Sequence, residues 1–134
     1  MITCKLGLGC EPLIVASGRG YHVWGRLEAA VANERLHDFM LRSGAATAAA
    51  IHRQGHDHHQ IKFTFYPDPR VHNVVSLRLF GSRHVKNKVF SRILTPQGLL
   101  DETASWEFFA DYLNNRTIAL ARFHAAHDSL LSPS

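Results

Sequence analysis

Short stretches in which apolar and polar residues alternate predict a set of β-strands in this chain. Side chains of a strand point in turn to its two faces, so a half-buried strand has a hydrophobic period of two. The alternation from Tyr21 onward places Tyr21, Val23, Gly25 and Leu27 on one face. Turn residues such as Ser17–Gly20 and Pro67–Pro69 separate the stretches. We expect one sheet built from strands at residues 12–16, 21–27, 61–66, 74–80 and 88–94.

Apolar residues at helical spacing predict two helical regions. The first runs over residues 28–42, and Ser43–Gly44 has the composition that commonly ends a helix. Residues 45–53 are rich in alanine, which fits a helix, although their number also fits a strand. The second region covers residues 103–130 and begins with acidic residues, as the helix dipole prefers. Its apolar stripe fits either one long helix or two helices that bend at Asn114–Asn115.

Length and composition indicate a single folded domain. The chain has 134 residues, of which 46% are hydrophobic, and this is enough to bury one core. Strands combined with helices in this order favour the α+β class. We therefore expect residues 1–134 to form one α+β domain. Its sheet is predicted to be mostly antiparallel or mixed, with the first helix packed on it and a long helical segment at the C-terminus.

The charge of the chain favours a polyanionic partner. The formal net charge is +4, and ten histidines add positive charge below about pH 6.5. Cys4 and Cys10 are too few for a disulfide framework. Glu11 and Pro12 interrupt the one apolar run that a signal peptide would need, and no run approaches the roughly 20 residues that cross a bilayer. These features predict a cytoplasmic protein that does not enter a membrane.

Residues 15–24, VASGRGYHVW, combine a glycine-rich turn with polar side chains at the start of a strand. The glycines expose backbone N–H groups and let a phosphate come close, because no Cβ stands in the way. Ser17 offers a hydroxyl, Arg19 a planar guanidinium suited to phosphate oxygens, and His22 a further donor. The same residues also fit an ordinary β-hairpin turn with a solvated arginine and a half-buried histidine. Spacing alone leaves both interpretations open.

A second glycine–serine turn follows a predicted strand in the segment RLFGSRHVK, residues 78–86. It lies in a stretch between Pro69 and Leu100 that contains several arginines and lysines and no acidic residue. A basic run is usually only a solvated face. Two turns of the same chemistry at strand ends, however, fit the two walls of one phosphate site, with Phe80 or Trp24 available to stack on a base. The candidate side chains of this second wall are Arg78, Ser82, His84 and Lys86.

These two segments resemble motifs of the archaeo-eukaryotic primase (primase-polymerase) superfamily. SGRGYHVW resembles that family's second motif, in which a serine, a glycine-rich turn and a strand histidine hold the triphosphate of the incoming nucleotide. RLFGSRHVKNK is similar to a later motif of plasmid, phage and mobile-element members, with Phe80 in place of a proline. The resemblance covers residues 12–94 and implies a nucleotide-binding site in a replication or mobile-element context. The matching positions are Ser17, Arg19, His22, Arg78, Gly81, Ser82, His84 and Lys86.

The family's first motif, an upstream pair of acids that holds two metal ions, has no counterpart in this sequence. Two-metal phosphoryl transfer depends on carboxylates, because Mg²⁺ and Mn²⁺ prefer hard oxygen ligands. The chain contains no Asp-x-Asp or Asp-x-Glu, and Glu11 is the only acid before Ser17. The catalytic residues therefore stay unassigned, and Mg²⁺ or Mn²⁺ is expected only if acidic ligands come from elsewhere. As it stands, the chain is not expected to polymerise nucleotides by itself.

A cluster of histidines before the predicted strand at 61–66 offers a different chemistry. His52 and His56 share one face if their segment is helical, and His58 follows them. Imidazoles at this spacing can hold zinc or nickel together with a third ligand from elsewhere. They also fit a polar loop whose imidazoles bind only water.

Three functions fit the sequence. The first is a nucleotide- or nucleic-acid-binding domain that resembles part of a primase-polymerase core and is either catalytically inactive or a fragment of a longer active form. The second is a metal-dependent enzyme built on the histidine cluster. The third is a small structural or interaction protein that oligomerises through its C-terminal helices.

Overall fold

The structure, a computed structural model, describes residues 8–18, 20–55, 64–65, 80–81 and 90–131. The elements in chain order are β1 (Leu13–Ala16), β2 (Tyr21–Trp24), α1 (Asn33–Arg53), β3 (Arg92–Thr95), β4 (Gly98–Leu99), α2 (Glu102–Asn115) and α3 (Leu120–Leu131). These elements confirm the predicted α+β class. The strands predicted at residues 61–66 and 74–80 lie outside the described residues except for residues 64, 65 and 80, of which Phe80 lies in a turn.

The described strands form an antiparallel sheet in the order β2-β1-β3-β4. β1 pairs with β2 through Val15 opposite His22, and with β3 through Val15 opposite Ile93. Because cross-strand partners share a face, these three side chains lie on one face of the sheet. Val15 and Ile93 are fully buried on that face. The opposite face carries Tyr21 and Val23 of β2, which are largely exposed.

α2 covers the buried face of the sheet. Leu13, Val15, Ile93 and Tyr112 form a buried cluster between the two layers. A helix packed on the sheet was predicted, but the packed helix is α2, and α1 packs instead against α3. The core between α1 and α3 consists of Leu8, Phe39, Ile118, Phe123 and Ala126.

α1 begins later and ends later than its sequence pattern indicates. Glu28 does not start the helix, because its carboxylate accepts a hydrogen bond from the Leu120 amide at 2.7 Å. At the other end, the predicted stop at Ser43–Gly44 is wrong. Gly44 lies buried inside the helix, where any Cβ would overlap the ring of Phe65. The glycine therefore serves close packing rather than helix termination, and the alanine-rich stretch continues the helix to Arg53.

The C-terminal segment consists of two helices, which confirms the second of the two predicted alternatives. α2 starts at an N-cap, Asp101, whose carboxylate accepts a hydrogen bond from the Ala104 amide at 2.8 Å. It ends at Asn115, and the Ile118 amide then donates to the carbonyl of Arg26 at 2.7 Å. Ile118 also forms an isolated parallel bridge with Leu27. Leu27 thus lies outside β2, and the strand predicted over 21–27 ends early, at Trp24. Within the described ranges, no helix is long and apolar enough to cross a membrane.

A polar cluster joins α1 to α3 beside their shared core. His127 is buried, and its Nε2 lies 2.6 Å from Oδ2 of Asp38. Arg42 Nε donates to the same oxygen at 2.9 Å. The hydrogen bond with His127, followed by that with Arg42, lowers the pKa of Asp38 below its ordinary value of 3.8. Its ionised carboxylate is thus favoured by folding.

The stability of the fold is expected to decline at acid pH partly through Asp38. A carboxyl whose pKa is lowered by folding stabilises the protein above its unfolded-state pKa, and this contribution is lost as pH falls through the folded-state pKa. The Asp38→Asn variant should therefore lose less stability than the wild type between pH 4 and pH 2, values that bracket the ordinary pKa from above and below. Urea unfolding midpoints across this range measure the effect. Asp111→Asn, on the exposed side of α2, is the matched control. If both variants reduced the pH dependence of stability equally, the role assigned to Asp38 would be contradicted.

Candidate functional site

The first predicted phosphate segment is a β-hairpin turn between β1 and β2. Ser17 closes it, because its amide donates to the Gly20 carbonyl at 2.9 Å and its Oγ donates to the same oxygen at 3.2 Å. Gly18 has a φ of +97°, a left-handed conformation that favours glycine. The turn geometry explains why serine and glycine occupy these positions. Arg19 lies outside the described residues.

Ser17 and His22 lie on the same face of the sheet. His22 is the cross-strand partner of Val15, and Ser17 follows Val15 by two residues. Burial alternates along β1, so Leu13, Val15 and Ser17 are all buried on the side that α2 covers. Ser17 is only 5% exposed, whereas His22 on the neighbouring strand is half-buried. The first segment therefore presents its polar groups at one end of the buried face.

The described part of the second segment lies at the same end. The Gly81 amide donates to Oγ of Ser91 at 2.7 Å, and Ser91 is 2% exposed just before β3. β1 and β3 pair through Ala16 opposite Arg92. Ser17 and Ser91 are the next residues along the two chains beyond that pair. The backbone of Gly81 is thus joined by one hydrogen bond to the residue before β3, at the end of the sheet where β1 leads into Ser17.

Aromatic rings surround this second turn. The Phe80 ring centroid lies 4.6 Å from that of Trp106 and 4.9 Å from that of Phe109. Gly81 has a φ of +93°, and a Cβ there would overlap the Trp106 ring. Glycine is therefore required at position 81 both by the backbone conformation and by the close approach of Trp106. Trp106 remains 45% exposed beside the turn.

The structure brings together some of the predicted residues and does not describe others. Ser17 and His22 lie at the hairpin end of the sheet, and the Gly81 amide is bonded at the same end to Ser91, the residue before β3. Trp24, the alternative stacking residue, packs into the core between the sheet and α2. The remaining predicted phosphate ligands lie outside the described residues and stay predictions: Arg19, Arg78, Ser82, His84 and Lys86.

Sequence reasoning missed two residues of this region. Ser91 carried no signal, because its role depends on a hydrogen bond to a residue ten positions away. Trp106 keeps the apolar spacing of the C-terminal helical region, yet it is 45% exposed at the Gly81 turn. It lies about 100° around α2 from the buried Ser105, and the sequence carries no signal that sets it beside Gly81.

The histidine cluster is described only in part. His52 is exposed in the last turn of α1, whereas His56 and His58 lie outside the described residues. Among the residues whose positions the structure gives, no group of three potential metal ligands occurs. The metal site remains a prediction from the sequence.

Comparison of the chain with protein-family models, with curated proteins and with solved structures finds no match. Its function is therefore argued from its own residues and their geometry.

Proposed function

We propose that this chain binds a nucleotide or the backbone of a nucleic acid at the end of the sheet where the Ser17–Gly20 turn and the Gly81 turn meet. One observation carries the proposal: the Gly81 amide donates a hydrogen bond to Ser91, which precedes β3 at the end of the sheet where β1 leads into Ser17. This contact supports a shared location for two glycine turns that lie far apart in the sequence. Both belong to the segments that resemble phosphate-binding motifs of primase-polymerases.

The chemistry of the proposed site depends on charge and on open backbone. Arg19 and Arg78 carry guanidinium groups that can donate two hydrogen bonds to one phosphate, and Lys86 adds a compact charge. Residues 69–100 contain no acidic side chain, so this segment adds no repulsion toward an anion. Glycine at positions 18 and 20 leaves the hairpin backbone accessible.

Ser17 contributes to the proposed site mainly by shaping it. Its hydroxyl donates to the Gly20 carbonyl, which fixes the turn that presents the glycine backbone. Ser17 is therefore a positioning residue in this proposal. His22 supplies a ring nitrogen two residues further along β2 from that turn.

The proposed activity is binding rather than catalysis. Nucleotide polymerisation by two metal ions needs a pair of carboxylates, and the sequence contains no Asp-x-Asp or Asp-x-Glu. Any Mg²⁺ or Mn²⁺ at the site would need ligands from another molecule or from the bound phosphates. The chain thus fits a nucleotide- or nucleic-acid-binding module with a primase-like core.

Binding is expected to weaken steeply as salt rises. Each arginine or lysine that contacts a duplex phosphate releases condensed counterions, so three contacts give a slope of about −2.7 in a plot of log K against log salt concentration. Fluorescence anisotropy with labelled single- and double-stranded oligonucleotides at several salt concentrations measures the slope, and competition with a nucleoside triphosphate tests for a shared site. Absence of binding to each of these ligands at low salt would contradict the proposal and favour the interaction-protein hypothesis.

A further inference from the structure

We propose that the chain has a second anion-binding site, separate from the first, which takes a small molecule carrying a phosphate or carboxylate group. The site is a pocket of about 470 Å³ between the segment that precedes β1 and the connection between α2 and α3. Its volume falls within the range of about 300 to 1,000 Å³ that is usual for small-molecule sites. The residues that line it include Gly9, Cys10, Glu11, Arg116 and Arg122.

This pocket lies at the other end of β1 from the proposed nucleotide site. Glu11 lines the pocket and Ser17 closes the hairpin. The six steps between them run mostly through β1 and span roughly 20 Å at about 3.3 Å per residue. One phosphate cannot bridge that distance, so an inorganic phosphate bound in this pocket does not also contact the Ser17–Gly20 turn, and small anions test the pocket separately.

The α2–α3 connection holds the backbone of Arg116 in place. Arg116 follows the last residue of α2, and its amide donates to the Tyr112 carbonyl at 3.0 Å. Two residues later, Ile118 exchanges hydrogen bonds with the segment after β2. Its amide donates to Arg26 at 2.7 Å, and its carbonyl accepts from Glu28 at 3.1 Å. Binding therefore does not have to order the backbone of this connection, and only the arginine side chain loses freedom.

Arg122 forms part of the pocket wall at Gly9. Gly9 has a φ of +77°, and its Cα faces the Arg122 side chain, because a Cβ at this position would lie 3.4 Å from Arg122 Nε. The guanidinium group thus lies over a stretch of backbone without a side chain. A guanidinium is suited to oxyanions, since its planar N–H groups match two oxygens of a phosphate or carboxylate.

The charges of the pocket favour an anion of modest size. Arg116 and Arg122 supply two positive charges, and Glu11 carries the only carboxylate among the described lining residues. Tyr112 neighbours Cys10. Burial and the neighbouring Cys10 raise the pKa of Tyr112 to about 12, so its hydroxyl is neutral at physiological pH. The net charge of these groups is therefore positive, and neutralising Glu11 should strengthen anion binding.

Cys10 provides a reporter for the pocket. It is a free, half-buried cysteine in the pocket wall. In a Cys4→Ser protein it is the sole thiol, because the sequence has two cysteines. An anion beside it should slow alkylation by iodoacetamide, both by covering the sulfur and by disfavouring the thiolate.

Alkylation rates in inorganic phosphate, in citrate and in chloride at matched ionic strength test the proposal. We expect phosphate, citrate or both to slow the reaction at least threefold and to saturate, and the effective anion identifies the ligand chemistry. Arg116→Ala and Arg122→Ala should each raise the half-saturating concentration about tenfold, because each removes a charge-assisted contact. Glu11→Gln should lower that concentration.

Controls separate this site from the first one. Arg53→Ala, an exposed arginine at the end of α1, and Arg19→Ala should leave the protection of Cys10 unchanged. Protection that does not saturate, or that survives both Arg116→Ala and Arg122→Ala, would overturn the proposal. Neither result would affect the nucleotide site, which is read out by oligonucleotide binding.

Discussion

Replacing Arg19 or Arg78 with alanine is expected to weaken triphosphate or oligonucleotide binding by about ten- to a hundredfold for each variant. The loss of one charge-assisted hydrogen bond to an anion typically costs about 1.5 to 3 kcal/mol, which corresponds to that range. The two residues belong to the two different motif segments, and the Gly81–Ser91 hydrogen bond brings the Gly81 turn to the end of the sheet that carries the Ser17–Gly20 turn. Isothermal titration at low salt measures the affinity of each variant.

Arg53→Ala is the matched control for these variants. It removes the same charge from an exposed position in the last turn of α1, and we expect it to change affinity less than twofold. Arg42 is less suitable, because it donates to Asp38 in the cluster that joins α1 to α3. Equal losses of affinity in the Arg19, Arg78 and Arg53 variants would show that binding depends only on the overall charge of the protein, which would contradict the proposed site.

Replacing Phe123 with alanine is expected to lower the free energy of unfolding by about 3 to 5 kcal/mol, as for other buried aromatic residues. Phe123 is 2% exposed in the core between α1 and α3. Its ring meets Phe39 edge-on, with the two centroids 5.0 Å apart, and stacks on His127 at 6.1 Å. The cavity would therefore loosen both the apolar core and the support of the Asp38–His127 contact. Guanidinium unfolding monitored by circular dichroism measures the change.

Leu131→Ala is the control for this second prediction. Leu131 lies on the same helix but is 46% exposed, so its loss should cost about 1 kcal/mol or less. Should Phe123→Ala fail to fold, Phe123→Leu should still unfold at a lower guanidinium concentration than the Leu131 variant. Similar midpoints for substitutions at the two positions would contradict the core described between α1 and α3.

The sequence was sufficient to predict the hairpin of β1 and β2. A short apolar run before Ser17–Gly20 and alternating side chains after it set the strands, and the glycines set the turn, so the information is local. The sequence signal for the start of α2 is also local, since Asp101 precedes a run of helix-forming residues. Elements that depend on neighbouring residues can be predicted from pattern alone.

The limits of α1 were not predictable because tertiary contacts decide them. Glycine commonly ends a helix, yet Gly44 lies within α1, where the Phe65 ring occupies the space that a side chain would need. Glu28 fits the start of a helix, but it instead accepts a hydrogen bond from the first residue of α3. Both contacts join residues distant in sequence, and such contacts override local propensity.

The sequence offers the residue types of the candidate site but not its assembly. Serine, glycine and arginine in a turn fit phosphate binding, as they also fit an ordinary hairpin turn. The convergence of the two turns depends on Ser91, whose role follows from the pairing of β1 with β3 and from its contact with Gly81. The pocket at Arg116 and Arg122 likewise arises only when the α2–α3 connection meets the segment before β1.

The convergence of the two turns on one ligand is tested most directly by a nuclear magnetic resonance titration of the glycine amides. Gly18, Gly20 and Gly81 belong to the two turns, whereas Gly55 follows α1 and Gly98 lies in the hairpin of β3 and β4. As a nucleoside triphosphate is added to ¹⁵N-labelled protein, the amide signals of the first three glycines should shift along one binding curve with a single Kd, and those of Gly55 and Gly98 should stay in place. A shift of Gly18 and Gly20 without Gly81, or no shift of these three glycines, would contradict a shared site.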